Sequence, residues 1–170
     1  MTTIFKIKKS KNNLSESEKT ELFRLLDYYA SRKEGNWLNS IDWKNAFKYY
    51  WCRAFCGSDI LGAKPLMENA IYIQERTQPP IDGADLFWIQ LMTSTVIHEL
   101  RHAWQQQKYG KLLWSLLYLP EFLPFLYGKG VIEGDAFNIS NEAQILIDGK
   151  LNSEYIVKFS RKNKKFFDEL

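Results

Sequence analysis

Apolar residues recur along most of this chain at helical spacing, with one short stretch that reads as a strand. Ser15 and Glu18 have the Ser-x-x-Glu spacing of a capping box, and Leu22, Leu25, Leu26 and Tyr29 follow on one helical face. This predicts an amphipathic helix over about 16–33, ended by Gly35. Trp43, Ala46, Phe47, Tyr50, Trp51 and Ala54 keep the same spacing and predict a second helix between a Ser40 cap and Gly57. Ala70-Ile71-Tyr72-Ile73-Gln74 is β-branched and aromatic and predicts a strand, broken off by Pro79, Pro80 and Gly83. A long helix follows over about 84–109, stopped by Gly110. The Leu- and aromatic-rich stretch 111–130 contains Pro120 and Pro124 and predicts one or two short apolar helices. A helix over about 131–147, a turn at Asp148-Gly149 and a last, fraying helix complete the chain. The expected fold is mainly α with a small β element (α+β). It forms a single domain over 1–170, with 1–13 and 161–170 as candidate loose ends.

Composition narrows the options. At 170 residues and 45% apolar content the chain can bury a real core. The net charge is only +3, and the basic clusters Lys6–Lys11 and Arg161–Lys165 lack any nucleic-acid motif, so nucleic acid is not an expected partner. Met1–Lys11 has no apolar core of the kind a secretory signal needs, and a cytoplasmic protein is expected. The most apolar run, Leu112 to Leu126, is about 15 residues against the roughly 20 of a spanning helix. It reads as a buried connection packed over the preceding helix, with substrate-pocket or membrane-surface contact as the weaker readings.

The chemistry is concentrated in His98-Glu99-Leu100-Arg101-His102, which holds the only two histidines of the chain. On a helix the two imidazoles lie one turn apart on the same face, a spacing that can bind one zinc ion. Glu99, beside them, is placed to take a proton from a zinc-bound water. A catalytic zinc needs three protein ligands and an open position. With no third histidine, the third ligand must be Asp, Glu or Cys. Glu133 is the first choice: it lies on a later helix that can return to the motif helix, and Ala136, one turn on, permits close packing. Asp135 is the competing ligand, or a group hydrogen-bonded behind a histidine. Glu142 is a weaker third candidate.

The stretch His98-Glu99-Leu100-Arg101-His102-Ala103-Trp104-Gln105 resembles the HExxHxxQ form of small zincin-type metallopeptidase domains, of the gluzincin kind. Those often carry a later Glu-x-(Asp/Glu)-Ala stretch, matched here by Glu133-Gly134-Asp135-Ala136. The likeness covers about 84–147. It departs from the thermolysin-like pattern at Phe137, where that pattern has Asp. The resemblance implies one zinc per chain, held by His98, His102 and Glu133, and hydrolysis of a peptide or protein substrate with Glu99 as general base. It also implies a second oxyanion donor, for which Tyr109, Tyr127 and Arg101 are candidates, and an edge strand that pairs with extended substrate, a place Ala70–Gln74 can take. Two alternatives stay open: a catalytically inactive zincin-like binding domain, and a closed structural Cys₂His₂ zinc site using Cys52 and Cys56 from a helix. The bland reading of the cysteines is two small apolar fillers.

Overall fold

The computed structural model describes residues 11–52, 62–66, 68–74, 84–119 and 130–168. Helix α1 (Glu16–Ala30) starts where the capping box places it. The Glu18 N–H donates to the Ser15 hydroxyl, and the Ser15 N–H donates back to the Glu18 carboxylate at 2.8 Å. Leu22, Leu25, Leu26 and Tyr29 are fully buried, so the predicted stripe is the core face. The helix closes on Ser31, short of the expected end. Gly35 is needed for close approach rather than as a stop: a Cβ there would run into the Tyr29 carbonyl oxygen.

The second predicted helix does not form. Asn36–Ser40 makes a 3-10 helix, and Lys48–Cys52 is a strand, β2, after the short strand β1 (Lys11–Asn13). The aromatic residues decide it. Tyr49 and Trp51 are buried on one face, while Tyr50 between them stacks on Tyr72 at 5.6 Å. That is a period of two, and aromatic cross-strand pairs outweigh the coincident helical spacing. The Tyr49 hydroxyl donates to the Trp43 carbonyl at 2.6 Å, which fixes the turn before the strand.

Strand β3 (Gly62–Ala63) and the expected strand β4 (Ala70–Gln74) complete a four-stranded sheet ordered β1-β2-β4-β3. β2 and β4 run parallel, from Lys48 opposite Ala70 to Cys52 opposite Gln74. β1 and β3 flank them antiparallel. β4 is therefore interior, and the expectation that it is the free edge is wrong: among the described residues β3 stands at that edge. Ile71 and Ile73 of β4 point into the main core, while Ala70 and Tyr72 face the other side.

Helix α2 (Ala84–Tyr109) crosses this core through Val96, Ile97 and Leu100, all fully buried. Gly110 ends it with a φ of 77°, open to a glycine at little cost. The chain then enters α3 (Lys111–Tyr118). Only Trp114 of α3 is buried; Leu112 is 78% and Leu116 61% exposed, so this part of the apolar run is not the buried connection expected of it. Residues 120–129 lie outside the described residues. Helix α4 (Val131–Asp168) is continuous, contrary to the expected turn at Asp148-Gly149. Ala143, Ile147 and Leu151 continue one buried stripe through that point. A single helical glycine costs only about 1 kcal/mol, too little to break the helix against such packing. The expected loose end at 161–170 is likewise helical as far as Asp168. Of the leading segment, 11–13 is β1 and 1–10 lies outside the described residues. Among the described residues no helix is long and apolar enough to cross a membrane.

Candidate metal centre

The packing of α2 against the start of α4 builds the site. His98 and His102 leave α2 on the same face with ring centroids 4.8 Å apart. Ala136, fully buried, lets α4 approach closely, and one turn earlier Glu133 reaches both rings. Its carboxylate lies 3.2 Å from His98 Nε2 and 3.4 Å from His102 Nε2, and the two Nε2 atoms are 3.2 Å apart. One donor atom from each residue falls within 4.8 Å of the others. His102 and Glu133 are buried and His98 nearly so.

Three lone-pair donors converging at that range, with a carboxylate only 2% exposed, form a group that can hold a metal ion. The charge pattern agrees. Burial alone would raise the Glu133 pKa, but contacts from His102, His98 and Tyr118 hold it well below the usual carboxylate range. Burial also works against a charged His102, yet the Glu133 carboxylate outweighs it and raises the His102 pKa.

Gln105 sets the tautomer of His102. Its Nε2 donates to the Ile132 carbonyl at 3.0 Å and to Asp135 at 2.8 Å, so that end must be the amide nitrogen. Its Oε1 then accepts from Trp114 Nε1 at 3.3 Å and from His102 Nδ1 at 3.0 Å. The His102 proton is thereby kept on Nδ1, leaving the Nε2 lone pair free toward the group. Asp135 is not a member of the group. It accepts from Arg101 at 2.7 Å and from Gln105, standing one residue further back from His102 than expected. The Arg101 guanidinium also lies 3.8 Å from the Trp104 ring and 5.0 Å from the Trp37 ring. It is thus committed to structure, not open as an oxyanion donor.

Glu99 is buried on α2 near β3. The Lys64 backbone N–H faces its carboxylate and works to lower its pKa. A Cβ on Gly62 would lie 3.1 Å from Glu99 Oε1 and 2.6 Å from Thr95 Cγ2, so glycine is what lets the sheet edge come this close. Burial pushes the Glu99 pKa up; the two histidines pull against it and Glu133 adds to it.

Among the other candidates, Tyr109 is exposed and Glu142 lies on the exposed face of α4. Tyr127 and Cys56 lie outside the described residues. Cys52 sits in β2 opposite Gln74, not on a helix. The helical cysteine pair expected for a closed Cys₂His₂ arrangement therefore does not form at Cys52. Tyr118 escaped the sequence reading: its hydroxyl donates to Glu133 Oε1 at 2.5 Å, and its ring stacks on Trp114. The signal was the Trp114–Tyr118 spacing, one turn on a single face, but only the turn at Gly110 aims that face at the histidines. Lys64 and Gly62 had no signal at all.

No protein-family model matches this chain, and no curated protein or solved structure matches it either.

Proposed function

We propose that this chain is a zinc-dependent metallopeptidase of the HExxH type, with His98, His102 and Glu133 as ligands and Glu99 as general base. The observation that carries the reading is the buried convergence of those three donors from two helices, with Glu99 on the adjoining turn. Two imidazoles and one carboxylate are a donor set that suits zinc and leaves a fourth position open. Bound there, zinc supplies Lewis acidity, acidifying water and polarising a carbonyl.

The chain's own residues do the rest. Glu99, raised by burial, takes the proton as water attacks the peptide carbonyl carbon, then delivers it to the leaving amine as the C–N bond breaks. The Lys64 N–H keeps the Glu99 carboxylate aimed. Gln105 presents His102 by Nε2, and Tyr118 holds one Glu133 oxygen. The nearby sheet edge, β3, offers backbone for an extended peptide.

The test is metal content per chain on untagged wild type, His98→Ala and Glu133→Ala, with peptide turnover compared between wild type and Glu99→Gln. About one zinc in wild type, lost in both ligand variants, and turnover abolished in Glu99→Gln with zinc retained, support the reading. A wild type that takes up no divalent metal after reconstitution overturns it. Zinc bound without any turnover over a broad peptide library selects the inactive binding domain instead.

A further inference from the structure

Lys64 has an uncommon environment for a lysine. Its Nζ donates to Gln106 Oε1 at 2.7 Å, to the Pro65 carbonyl at 3.2 Å and to the Glu68 carbonyl at 3.5 Å. Among the described residues no carboxylate lies within ion-pair distance of it. Burial and the like charge of Lys111, against a smaller opposing pull from Glu99, lower its pKa to about 8. Gln106, one turn beyond His102, is 6% exposed. Its Oε1 is taken by Lys64, so its amide orientation is set, and its Nε2 has no hydrogen-bond partner among the described residues.

A half-buried cation without a counter-ion, a like-charged neighbour and a buried amide with unused N–H groups are all donors, and all are improved by one anion. They sit at the rim of the metal group: Lys64 through its N–H on Glu99, Gln106 on the next turn after His102. We propose that Lys64, with Lys111 and the Gln106 amide, forms a carboxylate-recognising subsite beside the metal centre, so that preferred substrates present a carboxylate close to the scissile bond. The placement of substrate in this proposal rests on the metallopeptidase reading. The carboxylate can come from a peptide C-terminus or from an acidic side chain, and the Lys64 ammonium recognises either by exchanging its long 3.5 Å contact to the Glu68 carbonyl for a charge-assisted hydrogen bond.

The experiment is calorimetric binding to Glu99→Gln protein, zinc-loaded and metal-free, with two matched probe pairs. One pair is acetyl-Ala-Ala-Ala as free acid and as C-terminal amide. The other is acetyl-Ala-Asp-Ala amide and acetyl-Ala-Asn-Ala amide. The charged member of at least one pair should bind about tenfold more tightly than its neutral partner, the scale of one charge-assisted hydrogen bond. Which pair responds identifies the source. Lys64→Met should erase the preference for the charged member of the responding pair. Lys111→Ala, at an exposed position where folding is not at risk, should reduce it severalfold. Equal binding within both pairs overturns the subsite, and zinc retained in that same protein leaves the metallopeptidase reading standing. A preference seen only with zinc and unmoved by Lys64→Met places the carboxylate on the metal and also overturns the subsite. A protein that takes up no zinc fails the metallopeptidase reading alone, since the metal-free arm still reads the pocket.

Discussion

Replacing Gln105 with Met removes the group that fixes His102 while keeping an unbranched side chain of similar volume. Four hydrogen bonds go: those to His102 Nδ1, Trp114 Nε1, the Ile132 carbonyl and Asp135. Asp135 keeps its Arg101 partner and the Ile132 carbonyl lies within α4, so two groups, His102 Nδ1 and Trp114 Nε1, lose their Gln105 acceptor in a region where Gln105 itself is only 1% exposed. At roughly 1 kcal/mol each, the low end for a buried orphan, the variant loses about 2 kcal/mol of stability. That is a large share of a domain's total, yet short of unfolding it. Under the proposed reading, the zinc affinity falls for a separate reason. Without the Gln105 acceptor the His102 proton can move to Nε2 and the ring can turn, and loss of such a supporting partner typically costs about 10–100-fold. The assay is zinc competition against a chromophoric chelator, with circular dichroism to show that the variant is folded and urea unfolding for stability. Gln107→Met, at an exposed position on the same helix, is the control and should change neither. A folded Gln105→Met that holds zinc within about threefold of wild type, well inside the expected loss, would refute the tautomer argument.

Other expectations follow from the same packing. In metal-free protein, Glu133 has a depressed pKa, so its stabilising contribution is present above the unfolded value of about 4.3 and lost as pH falls toward the lower folded value. The raised pKa of His102 acts oppositely: its contribution is full below about 6.5 and lost as pH rises through the folded value. Urea unfolding of the metal-free chain should therefore weaken on both sides of that window, and Glu133→Gln should flatten both slopes. Gly62→Ala would press on Thr95 and Glu99, so under the proposed reading turnover should drop at least about tenfold while zinc content stays at wild type. Unchanged turnover there would sink the role given to the sheet edge. Gly149→Ala meets nothing within 4 Å on α4 and should raise thermal stability by about 0.5–1 kcal/mol. A drop would mean that the helix is not continuous at that point.

The metal group was legible because its signals are local. His98 and His102 share one face of one helix by spacing alone, and Gly110 and the Ser15–Glu18 box mark helix ends through their own backbone chemistry. Glu133 was readable from its small neighbour Ala136, which announces close helix packing. What stayed hidden depends on partners distant in the chain. Trp43 to Ala54 satisfies a helical template on paper. Pairing with β1 and β4, and stacking of Tyr50 on Tyr72, decide for a strand. Tyr118 reaches Glu133 because α3 folds back across α2, which no residue within α3 declares. The same holds for Lys64, brought to Gln106 by sheet topology.

The order in which the three residues of the metal group leave the ribosome follows from their numbers. His98 and His102 emerge together, but Glu133 comes later, and even then it must wait for α4 to settle on α2. A nascent chain thus exposes both imidazoles while lacking the carboxylate that completes the set. Under the proposed reading, a peptidase assembled this way is harmless to its own unfinished chain and to neighbouring ones. Its cutting capacity then arises only once α4 has docked on α2.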